Sequence, residues 1–253
     1  MNADISSLND SELARHLART AGDILLTVRD SGALSGKALG QAGDQTANQF
    51  LMHALRALRP DDGLLSEESK DTADRLSVSR VWIIDPVDGT REYGEKRSDW
   101  AVHVGLAIDG AAHTGAVALP GYDGGTVLYS AQCTAASAHS GPPRLVVSRT
   151  RPAKEAVAVA EALGGELVPM GSAGAKAMAV VRGEAEIYLH SGGQYEWDSC
   201  APVAVARAHG LHCSRIDGSP LLYNQRDTYL PDLLICRPEL AGQVLALVSA
   251  LES

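Results

Sequence analysis

The residues best suited to chemistry lie in the segment Trp82-Ile83-Ile84-Asp85-Pro86-Val87-Asp88-Gly89-Thr90. An apolar run leads into two aspartates, so a buried strand would bring Asp85 and Asp88 to its C-terminal end. Pro86 lacks an N–H group and fixes φ, which predicts that the strand stops there. Gly89 permits a positive φ and leaves backbone N–H groups uncovered, and such concave sets accept anions. Two oxygen ligands beside an anion site predict metal-assisted chemistry on a phosphate.

Further acidic residues occur where strands end or helices begin, namely Glu67, Glu68 and Asp198. Taken alone, adjacent glutamates after a short strand are typical of a solvated turn. If they converge with Asp85 and Asp88, the carboxylates repel one another unless cations are bound. Oxygen ligands suit Mg²⁺, Mn²⁺ or Ca²⁺ rather than Zn²⁺, and none of the eight histidines forms an HxxxH or HExxH pair.

Two polar residues have both a structural and a functional interpretation. Asp44 lies where the second helix is predicted to begin, which is typical of an N-cap, although a capping carboxylate can still present its other oxygen to a site. Lys176 follows Gly171-Ser172-Ala173-Gly174 and is either a solvated lysine or a substrate contact near a helix N-terminus. The sequence has neither the Walker spacing of a phosphate loop nor the GxSxG elbow of serine hydrolases.

Composition excludes several classes of protein. The 253 residues carry a net charge of −9, which argues against binding to a nucleic-acid polymer or to a membrane surface. No apolar run approaches the roughly 20 residues that span a bilayer, and acidic residues interrupt the first thirty positions where a signal peptide would lie. Four cysteines without CxxC spacing predict reduced thiols, so the cytoplasm is the expected location.

The first half of the chain predicts an α+β arrangement. Residues 9–29 show the apolar spacing of an amphipathic helix, residues 31–43 are rich in Gly and Ser and predict a mobile loop, and a second helix runs from Asp44 until Pro60. A short strand precedes Glu67. Further strands are predicted at 100–108, 111–119 and 126–130, with Asp109-Gly110 as a hairpin turn, and 131–142 as a linker.

The second half predicts an α/β layer, because strands and helices alternate along it. The predicted strands are 144–148, 166–169, 184–190, 211–215 and 232–236, and the predicted helices are 152–163, 173–182, 197–209 and 238–251. The chain is therefore expected to divide into an N-terminal α+β subdomain at 1–142, which carries the metal site, and a C-terminal α/β subdomain at 143–253, which completes it.

Together these residues resemble the inositol-monophosphatase superfamily of Mg²⁺-dependent, lithium-sensitive phosphatases, and within it the bacterial 3′(2′),5′-bisphosphate nucleotidases. The resemblance covers nearly the whole chain, in the family's order. It is carried by Gly43-Asp44, Ser66-Glu67-Glu68-Ser69, the Trp82–Thr90 segment, Gly171-Ser172-Ala173-Gly174-Ala175-Lys176, Glu196-Trp197-Asp198, Asp217-Gly218-Ser219-Pro220-Leu221 and Tyr223-Asn224. It implies a layered αβαβα sandwich of the inositol-monophosphatase and fructose-1,6-bisphosphatase type, with the site in the cleft between the subdomains.

The resemblance also implies a role for each acidic residue. Glu67, Asp85 and the carbonyl of Val87 would hold one Mg²⁺, and Asp85, Asp88 and Asp198 a second. A third ion would depend on Glu67, which is thereby a catalytic residue as well as a ligand. Two or three Mg²⁺ per site are expected.

Phosphate and substrate contacts follow in the same way. The N–H groups of Gly89 and Thr90 would hold the phosphate, while Asp44 and the Thr90 hydroxyl would orient the attacking water. The remaining substrate contacts implied are Asp88, Ser148, Arg149, Arg151, Ser172, Lys176 and Asp198. Ser148-Arg149-Thr150-Arg151 replaces the Ser-His pair of nucleotidase relatives, so arginine is expected at a second phosphate.

The expected activity is hydrolysis of the 3′-phosphate of 3′-phosphoadenosine 5′-phosphate to AMP and phosphate, within sulfate assimilation. The alternatives are an inositol-1-phosphate or fructose-1,6-bisphosphate phosphatase, whose activities can overlap with the first. Ser191 stands where inositol phosphatases place an acidic residue, which weakens the inositol interpretation. A catalytically silent nucleotide-binding protein is a further alternative. The expected partner is a small phosphorylated substrate, and a homodimer is expected from the resemblance.

Overall fold

The computed structural model describes residues 5–132 and 141–251. The α-helices are α1 (Asp10–Asp30), α2 (Gly36–Leu58), α3 (Thr90–Gly94), α4 (Lys154–Leu163), α5 (Ala173–Val181), α6 (Glu196–Ala208) and α7 (Pro238–Leu251). The strands are β1 (Gly63–Ser66), β2 (Arg80–Asp88), β3 (Ala101–Ile108), β4 (Ala111–Leu119), β5 (Thr126–Tyr129), β6 (Arg144–Ser148), β7 (Glu166–Met170), β8 (Ile187–Tyr195), β9 (His212–Ser214) and β10 (Tyr229–Cys236).

The first sheet has the order β1-β2-β3-β4-β5, with β1 parallel to β2 and the other neighbours antiparallel. Strand β2, which lies between β1 and β3, is buried on both faces. Trp82 and Ile84 join the core beneath α1 and α2, whereas Val81 and Ile83 join the core beneath α5 and α6. This is why the sequence shows a continuous apolar run here instead of alternation.

The second sheet has the order β7-β6-β8-β10-β9, with β6 parallel to β7 and β8, and β10 antiparallel to β8 and β9. Helices α5 and α6 pack between the two sheets, and α4 and α7 cover the outer face of the second sheet. The layers therefore run helix, sheet, helix, sheet, helix. The predicted αβαβα sandwich is confirmed.

The prediction of a mobile loop at 31–43 is wrong for most of that segment, because α2 begins at Gly36. Asp44 consequently lies in the third turn of α2 and is not its N-cap. The glycines suggested a loop, but they permit close packing against α3: a Cβ at Gly40 would lie 2.7 Å from Thr90 Cγ2, and one at Gly43 2.6 Å from Tyr93 Cε1. The short helix α3 was not predicted.

Strand β2 does not stop at Pro86. Its pairing with β3 shifts register between Asp85 and Asp88, so the strand continues through the proline as a bulge. Strand β8 is Ile187–Tyr195 and thus begins and ends later than predicted. Of the predicted linker, residues 133–140 lie outside the described residues.

The cysteines within the described ranges, Cys200, Cys213 and Cys236, are free thiols, as predicted; Cys133 lies outside those ranges. Across residues 5–132 and 141–251, no helix has both the length and the apolar character needed to cross a membrane.

Candidate metal and phosphate site

Three carboxylates meet where β2 ends and α6 begins. One oxygen each from Asp85, Asp88 and Asp198 lies within 4.8 Å of the others. The β2 bulge places the first two, and the α6 N-terminus places Asp198, whose Oδ2 accepts the backbone N–H of Tyr195 at 2.6 Å. Carboxylate oxygens at this spacing can share a hard cation. The sequence analysis expected such a cation if these carboxylates converge.

Glu67 joins this group from the turn after β1. Its backbone N–H donates to Ile84 O of β2 at 3.3 Å, which holds the turn against the strand. Although Glu67 is an exposed residue, burial of its carboxyl and the charge of Asp198 raise its pKa to about 7. Burial and Glu67 raise the pKa of Asp85 well above its usual value, and burial and Asp88 raise that of Asp198 to about 6. Without a cation these groups compete for protons.

Asp44, Thr90 and Val87 form a polar contact beside the carboxylates. Thr90 Oγ1 lies 3.1 Å from Val87 O and 3.4 Å from Asp44 Oδ1, and its single proton can be donated to either. Burial, followed by the charges of Glu68 and Glu67, raises the pKa of Asp44 to about 7. A carboxylate with this pKa beside a hydroxyl is suited to accept a proton near neutral pH.

The environment of Asp88 has the opposite electrostatic character. Asp88 accepts hydrogen bonds from the Ser172 hydroxyl and from the backbone N–H groups of Ala173 and Gly174, at 2.5–3.0 Å, which are the first groups of α5. Burial raises the pKa of Asp88, but the charge and close approach of His103, the Ser172 hydroxyl and the charge of Lys176 outweigh it and hold the pKa well below its usual value. Asp88 is therefore stabilised as an anion by the protein itself.

His103 was missed by the sequence analysis, and its role depends on the bulge. Its ring is fully buried, with Nε2 3.1 Å from Asp88 Oδ2 and Nδ1 3.0 Å from Trp197 O. The approach to Asp88 has the distance of a charge pair but not the angle of a hydrogen bond. Burial lowers the pKa of His103, and Asp88 more than compensates, so the pKa is raised. A histidine within an otherwise apolar strand was the available signal. Gly174 is required here, because a Cβ would lie 2.1 Å from His103 Nε2.

Lys176 is buried, which excludes the solvated-lysine interpretation. Its Nζ donates to Ser172 O at 2.6 Å and lies 5.3 Å from the centre of the Tyr188 ring. Burial lowers its pKa, although Asp88 opposes the change. Lys176 lines a cavity of about 280 Å³, together with Asp88, Gly89, Ser148, Ser172 and Asp198.

The two predicted arginine contacts lie apart from this cavity. Arg149 pairs with Glu92 of α3 at 2.5 Å and lies 3.6 Å from Glu95. Arg151 is exposed, and its backbone N–H donates to Ser148 Oγ at 3.3 Å. Of this segment, only Ser148 lines the cavity.

Glu196 is a second positioning residue that the sequence analysis did not assign. Its fully buried carboxylate accepts the backbone N–H groups of Asn224 and Gln225, each at 2.7 Å. Arg75 donates to Asn224 Oδ1 at 2.7 Å and to Gln225 O at 2.9 Å. This network fixes the start of α6 and hence Asp198. The Tyr223-Asn224 pair stands out in the sequence, but spacing alone does not show that Asn224 contacts Glu196.

Comparisons with known proteins identify the family of the chain. The model of the inositol monophosphatase family matches residues 9–252. A protein of Mycobacterium leprae (strain TN), named 3′-phosphoadenosine 5′-phosphate phosphatase, is 48% identical over 257 residues, covering 96% of this chain and 94% of that protein. The 3′(2′),5′-bisphosphate nucleotidase CysQ of Escherichia coli (strain K12) is 30% identical over 233 residues, covering 85% and 94% of the two chains.

The fold has solved counterparts as well. CysQ from Bacteroides thetaiotaomicron, described as a bacterial member of the inositol monophosphatase family, superimposes with a TM-score of 0.78 at 21% identity. That alignment covers 90% of this chain and 97% of the other, which shows that the two share a fold. With the family model matched over most of its length, the chain belongs to the inositol monophosphatase family of phosphatases.

Proposed function

We propose that this phosphatase hydrolyses the 3′-phosphate of 3′-phosphoadenosine 5′-phosphate in the presence of Mg²⁺ and releases AMP and phosphate. The similarity to the Mycobacterium leprae protein of that name, at 48% identity over nearly the full length of both chains, supports the substrate. The observation that carries the reaction type is the meeting of Asp85, Asp88 and Asp198 within 4.8 Å, beside the cavity that Gly89 and Lys176 line.

The donor set fits Mg²⁺. Every donor in the group is a carboxylate oxygen, and the raised pKa values of Asp85, Glu67 and Asp198 indicate negative charge that a divalent cation would neutralise. We assign one ion to Glu67, Asp85 and the carbonyl of Val87, and another to Asp85, Asp88 and Asp198, with a third ion dependent on Glu67. When bound, Mg²⁺ would lower the pKa of a nucleophilic water and neutralise charge on the phosphoryl oxygens.

The chain's own groups would bind the phosphate. Gly89 adopts a left-handed conformation with φ of +88°, so the backbone turns at this point and can present the N–H groups of Gly89 and Thr90 to a phosphate. Lys176, which lines the same cavity, adds positive charge near Asp88. Ser172 is committed to Asp88 through its hydroxyl, so its contribution is to hold Asp88 in place.

Asp44 and Thr90 would manage the proton of the attacking water. The Thr90 hydroxyl can donate to Val87 O or to Asp44 Oδ1, so rotation of this one group determines whether Oδ1 of Asp44 is free to accept another proton. Burial is the largest cause of the raised pKa of Asp44 and does not depend on the charges of the neighbouring carboxylates, so this carboxyl is suited to take up a proton and return it to solvent. No covalent enzyme intermediate is required, because no nucleophilic side chain is needed for in-line displacement by water.

A substrate panel tests the proposal. We would measure kcat/KM for 3′-phosphoadenosine 5′-phosphate, inositol 1-phosphate and fructose 1,6-bisphosphate across a Mg²⁺ titration. We expect the nucleotide to be preferred and activity to require Mg²⁺. A preference of about tenfold or more for inositol phosphate, about 1.4 kcal/mol, would reject the nucleotidase assignment. Binding without turnover of any of the three would favour a catalytically silent sensor.

We also propose that the protein acts as a cytoplasmic homodimer in sulfate assimilation, with subdomains at 1–142 and 143–253. The net charge of −9 and the free thiols support the location. Each proposed subdomain contains one of the two sheets. Cell fractionation tests the location, and limited proteolysis between the sheets tests the division into subdomains. Light scattering coupled to gel filtration tests the oligomeric state, and a monomer would contradict the proposed dimer.

A further inference from the structure

One wall of the active-site cavity carries a polar side chain that the phosphatase mechanism does not use. Gln194, near the end of β8, lines the same 280 Å³ cavity as Asp88 and Lys176. The residue is only 7% exposed. Among the residues that the structure describes, neither Nε2 nor Oε1 of Gln194 has a hydrogen-bond partner. A buried carboxamide without partners is costly, and native proteins rarely keep one without a reason.

The backbone around Gln194 is firmly held. Gly192 and Gly193 adopt φ values of +100° and +93°, which turn the strand, and Gly193 O lies 3.0 Å from His190 Nε2. Pairing with β10 resumes at Gln194, opposite Leu230. The segment is fixed on both sides, and both amide atoms of Gln194 are enclosed in this structure. A ligand in the cavity would therefore reach them once the side chain rotates toward it.

An aromatic surface adjoins this amide. Tyr195 lines the cavity and is 46% exposed, which is unusual for a tyrosine with neighbouring rings. Its ring stacks on Trp197, with centroids 4.8 Å apart and planes at 10°, and meets the edge of Tyr229 at 6.0 Å. The three rings form a rigid platform, and bases stack favourably on such rings.

We propose that Gln194 and Tyr195 form the subsite that recognises the adenine base, an inference that rests on the nucleotidase function proposed above. A carboxamide offers a donor and an acceptor side by side, and adenine presents the complementary pair, the N6 amino group and N7. Hypoxanthine instead presents two acceptors, O6 and N7, so one side of the Gln194 amide would remain unpaired. The platform stacks on either purine and therefore supplies affinity, whereas Gln194 supplies the choice of base.

The test compares two substrates that differ only at this edge, 3′-phosphoadenosine 5′-phosphate and 3′-phosphoinosine 5′-phosphate. We expect the wild-type protein to prefer the adenine substrate by about tenfold or more in kcat/KM. Gln194→Leu and Gln194→Met should bring this ratio close to one, mainly by raising KM for the adenine substrate. Gln243→Leu, the same change on an exposed part of α7, is the matched control and should keep the wild-type ratio.

Two further readouts separate recognition from a structural role. Because Gln194 has no partner in the described protein, removing its amide should leave the Tm of the ligand-free protein unchanged or higher; a structural amide would lower it. Tyr195→Leu should raise KM for both purine substrates while keeping their ratio, since stacking does not distinguish the two bases.

The outcomes that overturn the inference are distinct. If the wild-type protein hydrolyses both purine substrates equally well, or if both Gln194 variants keep its preference, Gln194 does not read the base and only this inference fails. A wild-type ratio near one overturns the inference even if a variant does not fold. If the wild-type protein hydrolyses neither bisphosphate but does hydrolyse inositol 1-phosphate, the proposed function fails and takes this inference with it.

Discussion

Asp85 and Asp88 lie on the same strand, both are buried, and yet their surroundings are electrostatically opposite. Around Asp85, burial and then the charge of Glu67 raise the pKa well above its usual value. Around Asp88, burial acts in the same direction, but His103 and the Ser172 hydroxyl outweigh it and hold the pKa well below its usual value. Asp88 is stable as an anion within the protein, whereas Asp85 needs a proton or a cation.

The difference has its origin in the fold. The neighbours of Asp85 come from the turn after β1 and from the start of α6, both of which bring further carboxylates. The neighbours of Asp88 come from β3 and from the start of α5, which bring an imidazole and backbone N–H groups. One part of the site thus depends on metal for its stability, and the other part is complete without it.

The largest expected effect is on turnover, where the two residues should behave alike. Asp85→Asn and Asp88→Asn each remove a charge from the proposed metal ligands, so we expect kcat to fall by about 10³-fold or more. Steady-state rates at saturating Mg²⁺ would measure this. Asp61→Asn, at an exposed position, is the control and should retain wild-type kcat. Activity surviving Asp88→Asn would disprove the assignment of Asp88 as a ligand.

Stability should distinguish the same two variants. In the metal-free protein, Asp85→Asn removes a carboxyl that must take up a proton on folding, and should raise the free energy of unfolding by about 1 kcal/mol. Asp88→Asn removes the anion that His103 and the α5 N–H groups surround, and should lower it by about 3 kcal/mol. Urea unfolding in the presence of a chelator would measure both changes. A shift of the same sign in the two variants would contradict the comparison.

The sequence predicted the acidic residues of the site but not the surroundings that make Asp85 and Asp88 differ. Asp85, Asp88, Glu67 and Asp198 could be found because each lies where a strand ends or a helix begins, and local spacing shows such positions. The fold class followed from the change of pattern between the two halves of the chain. Neither inference required knowledge of which elements touch.

The residues that were missed depend on such contacts. His103 faces Asp88 only because β2 and β3 shift register at the bulge, and no local pattern shows a register shift. The unpaired amide of Gln194 cannot be recognised until its surroundings are known. Conversely, Gly40 and Gly43 suggested a loop because their close approach to α3 is a tertiary feature.

Metal and pH should act on the same carboxylates. The pKa values of Asp44 and Glu67 are raised to about 7 in the folded, metal-free protein, and that of Asp198 to about 6. A raised pKa contributes stability that is fully present below the unfolded value, about 4, and lost as pH rises through the folded value. The Tm of the chelated protein should therefore fall between pH 5 and pH 7. The depressed pKa of Asp88 does not oppose this, because its contribution changes only in acid.

Mg²⁺ should reverse that trend, since it binds the deprotonated carboxylates and displaces their protons. We expect the increase in Tm caused by Mg²⁺ to be larger at pH 7 than at pH 5.5. At a concentration about 100 times Kd the stabilisation would be about 2.7 kcal/mol. Scanning calorimetry with and without Mg²⁺ at the two pH values would measure it. An increase in Tm that does not depend on pH would show that these carboxylates are not the ligands.

The smallest expected effects concern Arg149 and Arg151, which the sequence analysis treated alike. Arg149 pairs with the buried Glu92, so Arg149→Met should lower the free energy of unfolding by about 1 kcal/mol and change KM for the nucleotide by less than about threefold. Arg151 is exposed. Burial lowers the pKa of His190, which lines the cavity, and the charges of Lys176 and then Arg151 add to this lowering, so the charge of Arg151 reaches the cavity. Arg151→Met should therefore leave stability unchanged and raise KM severalfold, less so at high salt, because the lost attraction is screened by ions. The opposite pattern would place the second phosphate at Arg149 and would require the Arg149–Glu92 pair to open when substrate binds.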